Sequence, residues 1–205
     1  MLRILLFTVL GYFSGSILYA RVVAGLLNRN DIFERSKDNN PGTANAFMYG
    51  GFLCGSLTLC GDLLKGFFPV FIYQANFFSF ETEPWGLIFV LAAPVLGHIF
   101  SIFSRFQGGK GVAVTFGSLA GLLPYLLPLM LLVAAFITLS LVFRITSHFY
   151  RTAAAYLCTM FALVLLRADL YFCIAFFIIS AAVFLRLRSS REQREKLEVK
   201  LLWMR

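Results

Sequence analysis

Residues 111–143 read GVAVTFGSLAGLLPYLLPLMLLVAAFITLSLVF and contain no charged side chain. A helix needs about 20 apolar residues to cross a bilayer, so this run is too long for a single ordinary span. Pro124 and Pro128 lie in its middle, and an interior proline removes a helical hydrogen bond and clashes with the preceding turn. The run therefore predicts a hairpin of two short membrane spans.

The rest of the chain has the same apolar character. Hydrophobic residues make up 60% of the sequence, charged residues 14%, and the mean hydropathy is +0.81, so an ordinary polar surface could not be built. Five further apolar segments lie at about 4–27, 45–80, 85–104, 152–166 and 170–187. Together with the hairpin they predict an all-α integral membrane protein with about seven transmembrane helices, some of them short or broken.

The 45–80 segment is also too long for one ordinary span, and it contains Gly61, Asp62, Lys65 and Gly66. A charged side chain at the middle of a span costs about 2.5–3.5 kcal/mol on insertion scales. The carboxylate and the ammonium could offset one another at spacing i,i+3, or both could lie nearer the interface. We therefore expect a bent or broken helix at this point, with its irregular part against protein or water.

The distribution of charge predicts the orientation. The loops at 28–44, 104–111 and 144–151 and the tail from Arg186 carry lysine and arginine, whereas the 76–86 loop carries only acidic residues. Basic loops lie on the cytoplasmic side, so seven crossings place the N-terminus outside and the C-terminus in the cytoplasm. This placement accounts for the formal charge of +8 and argues against nucleic acid as a partner. Residues 1–188 are expected to form one membrane domain, and 189–205 a basic amphipathic tail on membrane lipids.

The cysteines predict neither a metal site nor a disulfide framework. All four lie in apolar runs without paired spacing, which is typical of packing residues: Cys54, Cys60, Cys158 and Cys173. The first apolar segment is long for a signal peptide and no convincing cleavage site follows it. We interpret it as a retained first span.

The most informative functional motif is the loop at 104–114, Ser-Arg-Phe-Gln-Gly-Gly-Lys-Gly-Val-Ala-Val. Its glycines allow several backbone N–H groups to point at one place, and Lys110 adds a cation there. The spacing differs from that of a Walker A loop, which has four residues between its first glycine and Gly-Lys-Ser/Thr. The loop predicts an anion site of the kind that holds phosphate, although a basic turn at a membrane face could also anchor lipid headgroups.

Two further polar loops are expected on the same membrane face. Residues 36–45 read Ser-Lys-Asp-Asn-Asn-Pro-Gly-Thr-Ala-Asn and could cap the following helix, whose N-terminus would attract an anion. Residues 144–148 read Arg-Ile-Thr-Ser-His and combine two hydroxyls with possible cations. Each loop could equally be a capped turn and nothing more. His98, in the sequence Leu96-Gly-His-Ile-Phe100, could be structural or catalytic.

Taken in order, these motifs resemble the acyl-phosphate-dependent glycerol-3-phosphate acyltransferases of bacteria, the PlsY type. The resemblance is carried by Gly15-Ser16, Asn40-Pro-Gly-Thr-Ala-Asn45, Asp62-Leu-Leu-Lys-Gly66, Leu96–Phe100, Gly108-Gly-Lys-Gly-Val-Ala113 and Arg144-Ile-Thr-Ser147. It implies a seven-helix protein of the bacterial plasma membrane, without a cofactor. It also implies transfer of an acyl group from acyl phosphate to the sn-1 hydroxyl of glycerol 3-phosphate, giving lysophosphatidate and phosphate.

The resemblance also implies roles for particular residues. Phosphate or substrate binding falls to Asn40, Gly42, Thr43, Asn45, Gly108, Gly109, Lys110, Gly111 and Arg144. Catalytic positions are Ser16, Lys65, His98, Thr146 and Ser147. Because acyl phosphate has a good leaving group, catalysis could rest on positioning and on stabilising the developing oxyanion. The general base is left open between His98 and a phosphate oxygen of the substrate.

The chain departs from the family pattern at several places. Ala44 stands before the second asparagine of the first motif, Met48 where an arginine is common, Leu18 at a frequent proline and Val114 at a frequent threonine. The tail shows no clear match to a His-Arg-Glu-Asn stretch. Three alternatives follow: a divergent paralogue with another acceptor, a transporter or channel for a small phosphorylated anion, and a noncatalytic lipid-binding protein.

Overall fold

The structure, a computed structural model, describes residues 1–29, 32, 36, 40–78, 83–190 and 199. Within these residues the protein is all-helical. The helices are α1 (Leu2–Ser16), α2 (Tyr19–Leu26), α3 (Thr43–Phe77), α4 (Gly86–Ile99), α5 (Val112–Ala120), α6 (Leu127–Ile137), α7 (His148–Leu165) and α8 (Leu170–Ser189). A short 3₁₀ turn, Ile102–Ser104, follows α4, and a π-turn, Thr138–Val142, extends α6. The predicted all-α class is confirmed.

The helices pack around α4, which is buried along most of its length. α1 and α8 both lie against α4, and α5 lies along α3. The outer surface is apolar as well: on α7, Leu157, Phe161 and Leu165 are exposed at spacing i, i+4, i+8. An exposed stripe of this kind is suited to lipid and not to water.

Within the described part of the chain, three helices are long and apolar enough to cross a membrane: α3, α4 with its 3₁₀ turn, and α8. α1 and α2 make a fourth if the pair, bent by 43°, is counted as one span. α5 has only nine residues, about 14 Å at 1.5 Å per residue, against a hydrocarbon core of about 30 Å. Seven crossings and the orientation of the termini therefore stay predictions.

The predicted break at Gly61–Gly66 is wrong, because α3 runs through these residues as a helix. The chain kinks instead at Gly51, whose φ of 81° and ψ of −179° lie in a region that favours glycine. Gly61 and Gly66 serve close packing: a Cβ at Gly61 would collide with the ring of Tyr19, and one at Gly66 would lie 2.6 Å from the carbonyl oxygen of Val114. The glycine cluster therefore brings helices together without breaking α3.

The long run at 111–143 does divide into two short helices. α5 and α6 are separated at 121–126, where Pro124 lies, as the sequence predicted. Pro128, in contrast, lies in the first turn of α6, a position that tolerates proline because the N–H it lacks would have no helical partner. The break therefore lies at Pro124, and Pro128 belongs to the first turn of the next helix.

The four cysteines divide into a buried pair and an exposed pair. All four cysteines are free; Cys54 and Cys173 are buried, but Cys60 and Cys158 are exposed on helix surfaces, so the packing interpretation is wrong for these two.

α8 continues through Ser189, one residue past the predicted end of the membrane domain. The rest of the predicted amphipathic tail, at 191–198 and 200–205, lies outside the described residues.

Candidate active site

A cavity of about 440 Å³ lies where the starts of three helices meet. Its wall is formed by the beginning of α3, the segment that leads into α5, and the beginning of α7, with His98 of α4 also in the wall. The polar and loop residues that line it are Asn40, Gly42, Thr43, Asn45, Asp62, His98, Lys110, Gly111, His148 and Arg151. The structure therefore brings the first two sequence motifs into one pocket.

The pocket is electrostatically suited to an anion. α3 begins at Thr43, α5 at Val112 and α7 at His148, and no acidic residue lies in these fully described first turns. The first N–H groups of a helix lack helical partners, and the macrodipole gives them partial positive charge. Lys110 and Arg151 add two full charges to the same wall. Three helix N-termini and two cations thus point to phosphate as a ligand.

Close packing fixes the shape of the glycine-lysine loop. A Cβ at Gly109 would collide with Nε2 of His98, so only glycine fits between the loop and the ring. Gly111 has a φ of 83° and precedes α5 as its N-cap. The N–H groups of Gly108 and Gly109 donate to the carbonyl oxygens of Ile99 and His98, at 3.0 and 3.1 Å. These bonds also use the N–H groups of Gly108 and Gly109, which lie outside the described pocket lining, in contrast to their predicted direct role. Lys110 lies at the mouth of α5, and the residue is only 9% exposed.

Arg186 of α8 also holds this loop, because its guanidinium donates to the carbonyl oxygen of Gly108 at 2.6 Å. From the sequence Arg186 was assigned to the basic cytoplasmic tail, with no link to the glycine-lysine loop. No local signal in the sequence marks Arg186, since it lies at the end of an apolar segment, where basic residues of a positive-inside flank are common. The contact joins residues 78 positions apart, so only the fold reveals it.

The sequence predicted that a polar side chain of the asparagine loop caps α3. The N-cap is instead Gly42, which has no side chain to accept a hydrogen bond, and Lys37, Asp38 and Asn39 lie outside the described residues. Instead, the amide of Asn45 donates to the carbonyl oxygen of Asn40 at 2.9 Å, and the hydroxyl of Thr43 donates to Oδ2 of Asp62 at 3.2 Å. The side chains therefore tie the turn to itself and to the interior of α3.

A buried polar cluster lies behind the pocket. Nζ of Lys65 is 2.7 Å from Oδ1 of Asp62 and donates to the carbonyl oxygen of Ile17 at 2.6 Å. The same Nζ lies 2.8 Å from Nδ1 of His98. The side chains of Lys65, Asp62 and His98 are at most 4% exposed. Asp62 and His98 reach the pocket wall, while Lys65 supports both from behind.

The third motif is placed differently from the prediction. Ser147 is buried and is the N-cap of α7, without a side-chain cap, while Arg144 and Thr146 are exposed. The described lining of the pocket does not include these three residues. α7 contributes His148 and Arg151 instead, which a helical start at His148 places on one face at spacing i,i+3.

Ser16 lies outside the described pocket lining too. It is fully buried, its hydroxyl donates to the carbonyl oxygen of Tyr12 at 2.8 Å, and its own carbonyl oxygen accepts from the hydroxyl of Ser101 at 2.6 Å. These bonds join the end of α1 to the turn after α4. The position supports the fold around His98, and a direct role for Ser16 stays a prediction.

Fold and pocket together define an all-helical membrane protein with a pocket, lined by Lys110 and Arg151, where several helices begin. The family model for glycerol-3-phosphate acyltransferase matches residues 5–194. The chain belongs to the glycerol-3-phosphate acyltransferase family, and the match extends well beyond Ser147, the last residue of the motif resemblance.

Curated relatives with this name agree with the family assignment. The chain is 42% identical to the glycerol-3-phosphate acyltransferase of Thermotoga petrophila over 112 residues, which is 55% of each protein. It is 35% identical to that of Azotobacter vinelandii over 153 residues, 75% of this chain and 77% of the relative. For the first relatives, the match thus spans only a little over half of their length.

Two solved structures are similar over nearly the whole chain. Both are crystal structures of PlsY (YgiH), an integral membrane glycerol 3-phosphate acyltransferase, one in a lysophosphatidic acid form and one in a glycerol 3-phosphate form. Their TM-scores are 0.74 and 0.73, at 26% and 27% identity, and each match covers 90% of this chain and 88% of the other. The arrangement of helices described above is therefore that of a known membrane protein fold.

Proposed function

We propose that the protein transfers a fatty acyl group from acyl phosphate to the sn-1 hydroxyl of glycerol 3-phosphate, giving lysophosphatidate and phosphate. The observation that carries this proposal is the convergence of Lys110 with the N-termini of α3, α5 and α7 in one cavity. Both substrates carry a phosphate group, and the pocket offers a dense set of N–H groups and cations. The names of the relatives and the glycerol 3-phosphate form of PlsY support the acceptor.

The reaction needs orientation more than covalent catalysis. The sn-1 oxygen forms a bond to the acyl carbonyl carbon, the bond between that carbon and the phosphate oxygen breaks, and the hydroxyl proton leaves with the phosphate. Donors fixed around the carbonyl oxygen would stabilise its developing negative charge. In this proposal the turn of Thr43 and Asn45 holds one substrate, and Lys110, Gly111 and the first N–H groups of α5 hold the phosphate of the other.

A second cavity offers a place for the acyl chain. It measures about 320 Å³, lies between α7 and α8, and is almost entirely apolar, with Tyr156, Met160, Phe177 and Phe184 in its wall. One end reaches Thr152, the neighbour of Arg151 in the anion pocket. A donor with its phosphate at Arg151 could thus extend its chain along α7, between apolar side chains.

The direct test uses purified protein in detergent with palmitoyl phosphate and glycerol 3-phosphate, and measures lysophosphatidate. We expect product with wild type and with Arg167→Asn, a matched control that removes an exposed cation just beyond the other end of α7. Lys110→Ala should lower kcat/KM by about 100-fold or more, since it removes a buried charged contact to the phosphate. Equal activity of Lys110→Ala and Arg167→Asn would show that Lys110 does not take part in substrate binding.

The donor and the other candidate functions are tested in the same assay. Palmitoyl-CoA in place of palmitoyl phosphate should give no product, whereas equal rates with both donors would contradict the acyl-phosphate assignment. Product from another phosphorylated alcohol alone would indicate a paralogue with a changed acceptor. Absence of lipid product, together with flux of glycerol 3-phosphate into proteoliposomes, would favour a transporter.

We also propose the location and topology: a bacterial plasma membrane protein with seven crossings, its N-terminus outside and its C-terminus in the cytoplasm. The terminal amine of Met1 lies 2.8 Å from Oε1 of Glu83, so the start of α1 and the acidic loop share one end. Lys110 and Arg151 lie together in the pocket, which supports a basic cytoplasmic end. Reporter fusions at both termini test this, and a reporter active outside at the C-terminus would contradict it.

A further inference from the structure

We infer that Lys65 holds His98 in the tautomer that carries its proton on Nε2, so that the ring meets the pocket as a hydrogen-bond donor. The catalytic consequence rests on the proposed acyl transfer, but the tautomer itself does not. Lys65 is then a positioning residue, which acts on the substrate only through the ring of His98.

The charge on Lys65 depends on the atoms around its Nζ. Three acceptor atoms surround Nζ: the carbonyl oxygen of Ile17 at 2.6 Å, Oδ1 of Asp62 at 2.7 Å and Nδ1 of His98 at 2.8 Å. The contact with Oδ1 is an ion pair without hydrogen-bond geometry, and a carboxylate this close favours the charged ammonium over the neutral amine. Nζ also lies 5.7 Å from the centre of the Tyr19 ring, within reach of a cation–π interaction. The surroundings of Nζ therefore match a charged ammonium.

The charged ammonium of Lys65 determines which nitrogen of the His98 imidazole carries the proton. Because every hydrogen on Nζ belongs to a donor, Nδ1 of His98 must be the acceptor in the 2.8 Å contact and carries no proton. The competing arrangement, in which Nδ1–H donates to Asp62, fails on distance, since Oδ1 is 3.8 Å away. A neutral imidazole without a proton on Nδ1 carries it on Nε2.

Nε2 of His98 is directed towards the glycine-lysine loop. His98 lies in the pocket wall, and Nε2 faces Gly109, the neighbour of Lys110 in the glycine-lysine loop. A substrate oxygen held by that loop would meet an N–H and not a lone pair. To act as a base, the ring would have to move its proton to Nδ1, where it would face an N–H of Lys65. In this tautomer His98 acts as a donor to an oxygen of the substrate.

The tautomer can be measured without substrate. The chain has two histidines, so ¹⁵N-histidine spectra of the full-length protein in detergent show two rings, and His98→Gln identifies the missing one. We expect an unprotonated Nδ1 and a protonated Nε2 for His98. A protonated Nδ1 in wild type would overturn the inference, whether or not acyl transfer is detected.

The role of Lys65 is tested by Asp62→Asn/Lys65→Met, which removes both charges of the ion pair at once. Without the ammonium, the His98 ring should exchange between tautomers, and both nitrogen shifts should move towards average values. Thr43→Val is the matched control, because it removes a hydrogen bond to Asp62 but leaves Lys65 in place. An unchanged Nε2–H tautomer in the double variant would show that Lys65 does not set it.

Activity separates a donor from a base. His98→Ala should lower kcat by about 100- to 1000-fold, as loss of one donor to an oxyanion does. His98→Gln should stay within about 10-fold of wild type, since its amide N–H can occupy the place of Nε2–H but cannot serve as a base. A glutamine variant as inactive as the alanine variant would contradict the donor role. Absence of acyl transfer in wild type would instead refute the proposed function and leave the tautomer measurement intact.

Discussion

Replacement of Arg186 by methionine removes the contact between α8 and the glycine-lysine loop while keeping most of the side-chain volume. The guanidinium donates to the carbonyl oxygen of Gly108 at 2.6 Å, and Gly108 lies two residues before Lys110. A hydrogen bond that involves a charged group contributes about 1.5–3 kcal/mol. If this contribution positions Lys110 for the substrate phosphate, its loss lowers kcat/KM by about 10- to 150-fold.

The assay is lysophosphatidate formation over a range of glycerol 3-phosphate concentrations, with thermal unfolding in detergent as a check on folding. Arg188→Met is the matched control, because Arg188 is an exposed arginine on the same helix two residues away. It should behave as wild type. Arg186→Lys should recover part of the loss, since an ammonium can donate to the same oxygen. Equal kinetics for Arg186→Met and Arg188→Met would refute the claim that α8 holds the loop.

Three further changes test the packing behind the pocket. Thr43→Val removes the hydroxyl that donates to Asp62 at 3.2 Å, and should lower the melting temperature by about 2–4 °C, with Thr43→Ser close to wild type. Gly109→Ala places a Cβ against Nε2 of His98 and should lower kcat/KM by about 100-fold without unfolding the protein; wild-type kinetics would refute the close fit. Asp62→Asn leaves Lys65 as a buried charge without its carboxylate and should cost about 3–5 kcal/mol in thermal unfolding, more than Asp62→Asn/Lys65→Met costs.

Much of the site could be predicted from sequence because its motifs are local. The glycine-lysine loop and the Asn-Pro-Gly-Thr turn each precede a helix, and a helix start preceded by glycines and flanked by a lysine favours an anion. The structure places Lys110 and Thr43 in the same cavity. The shared membrane face was inferred from the positive-inside pattern of the loops, which is also a property of the sequence.

The rest depends on contacts between distant segments. Gly51 and Gly61 lie on the same helix, yet α3 kinks at Gly51, whereas Gly61 packs against the ring of Tyr19. No local sequence pattern distinguishes these two roles of glycine. Arg186 resembles any basic residue after an apolar helix, and its contact with Gly108 exists only once α8 lies beside α4. Arg144 and Arg151 fall in one basic loop, and the start of α7 at His148 decides which of them reaches the pocket.

A structure of the protein with glycerol 3-phosphate bound tests the central claim most directly, because that claim concerns where one phosphate group sits. The account predicts the phosphate within about 3 Å of Nζ of Lys110 and of the first N–H groups of α5, in the cavity that also contains Thr43 and Arg151. A phosphate bound elsewhere, or Lys110 and Thr43 in separate cavities, would contradict it.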